Sequence, residues 1–466
     1  MMRFGVEMAE EHQHVPGGSM NNDDDDKTIR TGTFWTTIAH IITAVIGSGV
    51  LSLAWGTAQL GWIGGPIVLI VFGFVTYVSS YLLSDCYRSP DPVTGTRNRS
   101  FTDAVRVILG EKYAWTSGLL QYFSFFGTAI AYVVTTSSCV KAILRTNCIH
   151  KKGSDADCHN SGQIYMLLFG VVQIVMSQIP DFNSMVLVSV VAAIMSFCYS
   201  SIGIGLGFAK VIENGKIAGS ITGIPAASVA NRLWLTFQAL GDIAFAYPYA
   251  LVLLEIQDTI KSPPAENKVA RKASAMAMIV TTSFYLGCGC FGYAAFGNDT
   301  PGNLLTGFGS YEPNWIVKFA NVCIIIHLVG GYQLFSQPVF AFVERWLTSK
   351  FPASQFLKKF YKIKLPLVPV FHLNLFRLCF RSSYVAVTTA IASEFPYFNE
   401  ILGVLGALNL WPLAIYFPVE MYIVQRNVQV WGKKWVFLQI FSCILMVVSF
   451  VALVGSVAGL IQAKMN

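Results

Sequence analysis

The sequence predicts an all-α integral membrane protein of eleven transmembrane helices, built as an inverted repeat of five plus five helices with one extra C-terminal helix. Three observations lead there. The 466 residues are 54% hydrophobic and only 12% charged, about half the charged share of a soluble domain. Apolar segments recur along the whole chain at or near the roughly 20 residues a helix needs to cross a bilayer. Two of those segments, five apart in order, are interrupted by residues that weaken helices. Helix is the expected form of every segment, because in hydrocarbon each backbone group must find its partner within the segment. The alternation of a membrane barrel is absent.

The chain opens with a polar, acidic stretch, residues 1–30, that reads as a disordered cytoplasmic tail and includes NDDDDK at 22–27. No short apolar run precedes the first span, so a cleavable signal peptide is not expected. Residues 31–466 form the membrane domain. Helices 1–5 occupy about 35–208, with spans at 35–60, 64–84, 114–140, 163–180 and 184–208. Helices 6–10 occupy about 232–422, with spans at 232–254, 273–296, 315–343, 382–395 and 398–422. Helix 11 covers about 435–463. With the N-terminus inside, most of the 32 lysines and arginines fall on inner loops, as the positive-inside bias requires. Eleven crossings then put the C-terminus outside.

Most of the ten cysteines lie within spans, as small buried hydrophobes do. Cys148 and Cys158 lie in a polar loop that this topology places outside, where a disulfide is favoured over free thiols. Asn298-Asp299-Thr300 is a glycosylation sequon on another outer loop. The net charge of +7 is small for this length, and no basic face is interleaved with aromatics. A nucleic-acid partner is therefore not expected. Gly287-x-Gly289-x-x-Gly292 has the spacing of a dinucleotide fingerprint. It lies within the seventh span with no strand before it, and small residues at that spacing suit close helix packing. There is no zinc-protease histidine pair, no CxxC and no phosphate loop. No nucleophile has a matched base. Catalytic residues, metal, cofactor and enzyme activity are all unexpected.

The first span contains TAVIGSGVLSLAW, residues 43–55. Each glycine weakens a helix interior by about 1 kcal/mol. Gly47-Ser48-Gly49 is either a close-packing patch or a helix broken at mid-membrane. In a break, freed N–H and C=O groups can hold a polar solute. The sixth span reads FQALGDIAFAYPYALVLLEI, residues 237–256, with Gly241 and Pro248 bracketing its middle. Pro248 removes a backbone donor and disfavours helix before it. Asp242 sits at membrane depth, where a charge costs roughly 2.5–3.5 kcal/mol on insertion scales. Breaks in spans one and six point to a site between two inverted halves. His40 in span one and His327 in span eight are either bonded to backbone or handle protons, and Asp242 is a further proton candidate. Tyr122, Phe125, Phe126, Ala129 and Tyr132 share one face of span three, as packing or as a binding wall. Tyr132 stands out because its hydroxyl near the midplane needs a partner.

HIITAVIGSGVLSLAW, QLGW, SQIPDF, FQALGDIAFAY, EIQDT, GYAAFG, PGNLLTGF and FPVEMY together resemble the plant amino acid permeases of the amino acid/auxin permease family, from about Arg30 to the C-terminus. The resemblance implies a proton-coupled symporter of the plasma membrane that imports many L-amino acids on the fold of the bacterial leucine transporter. It implies that the substrate carboxylate meets backbone at Ile46, Gly47, Ser48 and Gly49. It also implies that Phe245, beside Ala246, covers the substrate and that Tyr132 stands across from it. The family histidines implicated in transport match His40 and His327. Pro248 departs from the FAYSYS-like pattern of plant members. The implied coupling ion is the proton, with no other cofactor. The partners are the L-amino acid and the lipid bilayer; no partner domain is visible in the sequence, so a monomer is expected. A sodium-coupled amino acid transporter and a non-transporting amino acid receptor are the rival readings. A channel would need a continuous polar path, which no ring of polar residues supplies.

Overall fold

The computed structural model describes residues 30–152, 161–178, 182–309, 313–363 and 371–465. The expected N-terminal tail lies outside them up to residue 29. Cys158 lies outside them as well; eight other cysteines are free, and no disulfide joins two described residues.

Helix α1 (Phe34–Val45) begins at Thr33, whose side chain takes the Thr36 amide while Thr36 Oγ1 takes the Thr33 amide at 2.7 Å. This reciprocal cap satisfies two donors that the helix start would leave bare. A 3₁₀ turn (Ser48–Leu51) leads into α2 (Leu53–Ser84). The strands β1 (Arg88–Ser89) and β2 (Thr96–Arg97) form a small hairpin before α3 (Phe101–Leu109). Helices α4 (Glu111–Lys152), α5 (Gln163–Ser177) and α6 (Phe182–Asn214) complete the first half. The second half opens with α7 (Val229–Ala246) and α8 (Ala250–Gln257), separated at Pro248. It continues through α9 (Glu266–Phe296), α10 (Asn314–Lys350), α11 (Gln355–Lys358), the hairpin β3 (Phe360–Ile363) with β4 (Phe371–Asn374), and α12 (Leu375–Glu394). A π turn (Pro412–Tyr416) splits the next segment into α13 (Phe398–Leu410) and α14 (Phe417–Gln425), and α15 (Lys433–Met465) closes the chain.

Each of the eleven expected segments falls on helix, but eight helical stretches among the described residues are long and apolar enough to cross a bilayer. The difference has a local origin. The second half of span one runs straight into span two as α2, bent at Gly61 with φ +75°, a conformation that suits glycine. The apolar helices α1 and α5 are short, at 12 and 15 residues, and α12, the ninth span, has 20 residues but carries Arg377, Arg381 and Glu394.

The packing repeats with a period of five spans. Helix α2 packs on α9, α4 on α10, and α5 on α12. Those are spans two and seven, three and eight, four and nine, which is the pairing a pseudo-two-fold repeat produces. Helix α15 lies outside the repeat against α7 and α13, with Phe437, Ile440, Ile444, Val447 and Phe450 left exposed for lipid. The glycines of α9 set its distance from its neighbours. A Cβ at Gly289 would lie 2.7 Å from Thr57 Oγ1, and one at Gly287 would lie 2.8 Å from Ile204 Cδ1. Their spacing therefore serves close helix contact.

At one end of the bundle the charged residues converge. Asp258, just after α8, takes Arg30 Nη2 at 2.9 Å and the Tyr87 hydroxyl at 2.6 Å. Asp85 takes Arg271 and Arg426, both at 2.5 Å, and Asn267 Nδ2 at 3.0 Å. Glu266 takes Arg88 at 2.7 Å and Arg97 at 3.1 Å. Gly32 bridges in parallel to Ile260 and fastens the entry of α1 to the exit of α8.

Candidate functional site

The site grows from the interruption of α1. The Ile46 amide still reaches the Ile42 carbonyl at 2.8 Å, but Ile46 (φ −79°, ψ 83°) and Gly47 (φ −116°, ψ −147°) leave the helix. The carbonyls that the helix would have satisfied at this depth must be paired elsewhere, and three hydroxyls do so. Tyr285 on α9 places its hydroxyl 2.7 Å from Val45 O and 2.8 Å from Ala246 O. Tyr199 on α6 lies 2.9 Å from Gly47 O and 3.2 Å from Ile46 O. Ser196 donates to Ile46 O at 2.8 Å. A phenol carries one hydrogen, so Tyr285 shares it between the two broken helices and ties them together.

The opposite side of the break is open. Ser48 and Gly49 begin the 3₁₀ turn, and amides at a helix start have no partner within it. The Ser48 hydroxyl is buried without a partner. A small cleft lies between α1, α4, α6 and α10, with Thr43, Tyr132, Ala192, His327 and Phe335 in its wall. A Cβ at Gly47 would lie 3.4 Å from the Tyr132 hydroxyl and 3.7 Å from His327 Nε2. Gly47 therefore leaves both groups facing bare backbone. His327 Nε2 is buried without a partner, whereas Nδ1 lies 2.9 Å from Ser196 Oγ and 3.1 Å from Ala192 O.

The residues singled out in the sequence separate into distinct places. Ile46, Gly47 and Ser48 form the break, and Tyr132 and His327, both in the cleft wall, lie against it at Gly47. Gly49 lies where the two breaks touch: a Cβ there would be 2.9 Å from Ala246 Cα and 3.2 Å from Phe245 Cδ1. The Ala246 carbonyl is held by Tyr285. Phe245 is half-buried among Ala131, Leu402 and Leu405, on the Gly49 side. His40 is half-buried on α1, about two turns before the break, and is not in the cleft wall. Asp242 is fully buried, has both carboxyl oxygens without a partner, and turns toward Gly403 of α13, away from the cleft. The rest of the α4 aromatic stripe is packing: Tyr122 stacks on Phe342 at 4.4 Å and Phe126 meets Tyr384 at 5.4 Å. Sequence reasoning missed Ser196, Tyr199 and Tyr285. Their signal is a hydroxyl in the middle of an apolar span, the same signal that singled out Tyr132.

Two broken helices held together inside an inverted repeat define the class: a multi-pass helical transporter fold. A solved structure, MhsT in complex with L-phenylalanine, superposes with a TM-score of 0.57 at 10% identity over 92% of this chain and 99% of its own. That likeness shows the shared architecture of the bacterial leucine transporter type. Residues 30–462 match the family model described as transmembrane amino acid transporter protein. Probable amino acid permease 7 of Arabidopsis thaliana is 55% identical over 445 residues, 94% of this chain and 95% of its own. Amino acid permease 3 of the same plant is 52% identical over 463 residues, 97% of each chain. The chain belongs to the transmembrane amino acid transporter family.

Proposed function

We propose that this protein is a proton-coupled symporter that imports a broad range of L-amino acids across the plasma membrane by alternating access. Its N-terminus is cytoplasmic and its C-terminus extracellular. The relatives named amino acid permeases support the substrate class. The observation that carries the choice of coupling ion is the division of polar groups at the α1 break. A sodium ion would need oxygen lone pairs, the ligands that hard cations take. The carbonyls of Val45, Ile46, Gly47 and Ala246 are already engaged by the hydroxyls of Ser196, Tyr199 and Tyr285, which take up part of their lone-pair capacity and make them weaker ligands for a cation. The free acceptor facing the cleft is His327 Nε2, and histidine titrates near neutral pH.

In this mechanism the substrate carboxylate meets the Ser48 hydroxyl and the amides that open the 3₁₀ turn, where the positive end of a helix favours an anion. The proton is held at His327 Nε2, beside the same break. Loading both turns the site from a bare acceptor facing bare donors into a paired one, which permits the broken helices to close around it. The Arg30–Asp258–Tyr87 cluster then opens on the cytoplasmic side and the load leaves. One proton moving through about two pH units and about 100 mV releases roughly 5 kcal/mol. That sustains three to four decades of gradient for a neutral amino acid, so one proton suffices.

The test is the inward current evoked by alanine in oocytes expressing the protein, in sodium-free medium at about pH 5.5 and about pH 7.5, on either side of the ordinary histidine range. A saturable current that grows at the lower pH supports the proposal. A current that requires sodium would replace it with the sodium-coupled reading. Labelled alanine that binds without transport would replace it with a receptor.

A further inference from the structure

Ser196 does more than most serines in a membrane helix. Such hydroxyls usually satisfy themselves on the carbonyl four residues back, as Ser283 and Ser456 do here. Ser196 makes that contact, 3.0 Å to Ala192 O, but also reaches two other helices: Ile46 O of α1 at 2.8 Å and His327 Nδ1 of α10 at 2.9 Å.

The hydrogens can be assigned from this geometry. Ala192 O lies 3.1 Å from His327 Nδ1, and a carbonyl oxygen only accepts. The hydrogen between them therefore belongs to Nδ1. Ser196 Oγ accepts from the same N–H and gives its own hydrogen to Ile46 O. The other tautomer would set the Nδ1 lone pair against that of Ala192 O. With Nδ1 protonated, Nε2 is the bare nitrogen, and it is the one that faces Gly47 and the cleft.

We propose that Ser196 is a positioning residue for His327: it holds the Nδ1–H form, aims Nε2 into the cleft as the proton acceptor, and connects the histidine to the Ile46 carbonyl at the α1 break. The inference rests on the reading of His327 as the proton-binding group. When a proton from the cleft binds the Nε2 lone pair, the ring becomes an imidazolium and no other bond changes. The Nδ1–H···Oγ bond becomes charge-assisted and stronger, which polarises the serine O–H toward Ile46 O. The break in α1 thus experiences whether the histidine is loaded. The titratable groups facing the ring are the phenols of Tyr132 from α4 and Tyr199 from α6, the latter with ring centroids 5.9 Å away. Helix α1 presents backbone at Gly47, and no ion pair among the described residues involves His327.

The experiment measures amino-acid-evoked current against extracellular pH in oocytes, normalised to surface protein, for Ser196→Ala, Ser196→Cys, Ser196→Thr and His327→Asn. Loss of the hydroxyl removes a hydrogen bond to the charged ring and lowers its proton affinity. The expected result for Ser196→Ala is a half-maximal pH about one unit more acid, a roughly tenfold higher proton requirement. Ser196→Thr restores the hydroxyl and the midpoint, and Ser196→Cys falls between. His327→Asn flattens the profile. A wild-type midpoint in Ser196→Ala, with only the maximum reduced, overturns the positioning role and leaves the reading of His327 standing. A threonine variant that shifts as far as alanine overturns it too. A wild-type profile in His327→Asn overturns the proton reading itself, and this inference with it. If Ser196→Ala does not reach the surface, the cysteine variant decides by the same criterion.

Discussion

Replacing Arg30 by alanine tests the charged cluster as a gate. In the structure its guanidinium bonds Asp258 twice, Nη2 to Oδ1 and Nε to the carbonyl, both at 2.9 Å. The two side chains are only 5% and 6% exposed. Removing one partner of a buried pair costs about 3–5 kcal/mol, because the other charge is left uncompensated. Here Tyr87 still donates to Asp258 at 2.6 Å, so the lower end, about 3 kcal/mol, applies. The penalty falls on the closed arrangement alone, because an opened cluster would hydrate Asp258. At 1.36 kcal/mol per decade, the open population rises roughly a hundredfold. Cys86 is a native reporter: it adjoins Tyr87 and is fully buried. Its alkylation, followed by mass spectrometry with the equally buried Cys139 of α4 as control, is expected to quicken by about that factor in Arg30→Ala. The mechanism predicts the change at Cys86 and not at Cys139. Equal protection of Cys86 in wild type and Arg30→Ala would refute the idea that this cluster gates one side.

Four further outcomes follow from the same geometry. Gly49→Val places a Cβ 2.9 Å from Ala246 Cα, so overpacking of about 1–3 kcal/mol should lower the melting temperature and reduce uptake per surface copy. Tyr285→Phe removes the hydroxyl from the Ala246 carbonyl and leaves Val45 O with the Gly47 amide alone; a loss of about 1–3 kcal/mol is expected in thermal stability, and any new stimulation by sodium would show in the same uptake assay. Asp242→Asn should leave the pH profile of transport in place, since the carboxyl faces α13 and not the cleft; a flattened profile would return Asp242 to the coupling machinery. Asp85→Asn leaves Arg271 and Arg426 without their shared carboxylate; because both arginines reach solvent, a destabilisation of about 1–3 kcal/mol should appear in thermal unfolding.

Much of the molecule was legible in the sequence because lipid imposes simple rules. Apolar length marks spans, and a glycine or proline inside one is conspicuous against that background. Both breaks were visible for this reason, as was the five-span interval between them. The pairing of α2 with α9 and α4 with α10 follows from that interval and the repeat it implies. Within the site, Gly47 and Tyr132 were legible by type, and His327 by its charge class. Ser196, Tyr199 and Tyr285 were not, because a serine or tyrosine within a span is common and satisfies itself locally in most cases. Only their distances to the break distinguish them. Gly47 and Gly49 looked equivalent in the sequence, yet one faces Tyr132 and His327 and the other faces Ala246.

By itself the sequence determined that this is a helical membrane protein, that two of its helices are broken, and which residue types lie at the breaks. These are properties of hydropathy and backbone propensity, which act over a few neighbouring residues. The tertiary structure alone decided which groups of the α1 break are paired and which are left bare. That depends on where α6, α9 and α10 bring Ser196, Tyr199, Tyr285 and His327 against α1, contacts between residues more than a hundred positions apart in the chain. A carbonyl is a weaker cation ligand where such a hydroxyl already takes one of its two lone pairs, and that reach is set by packing between helices.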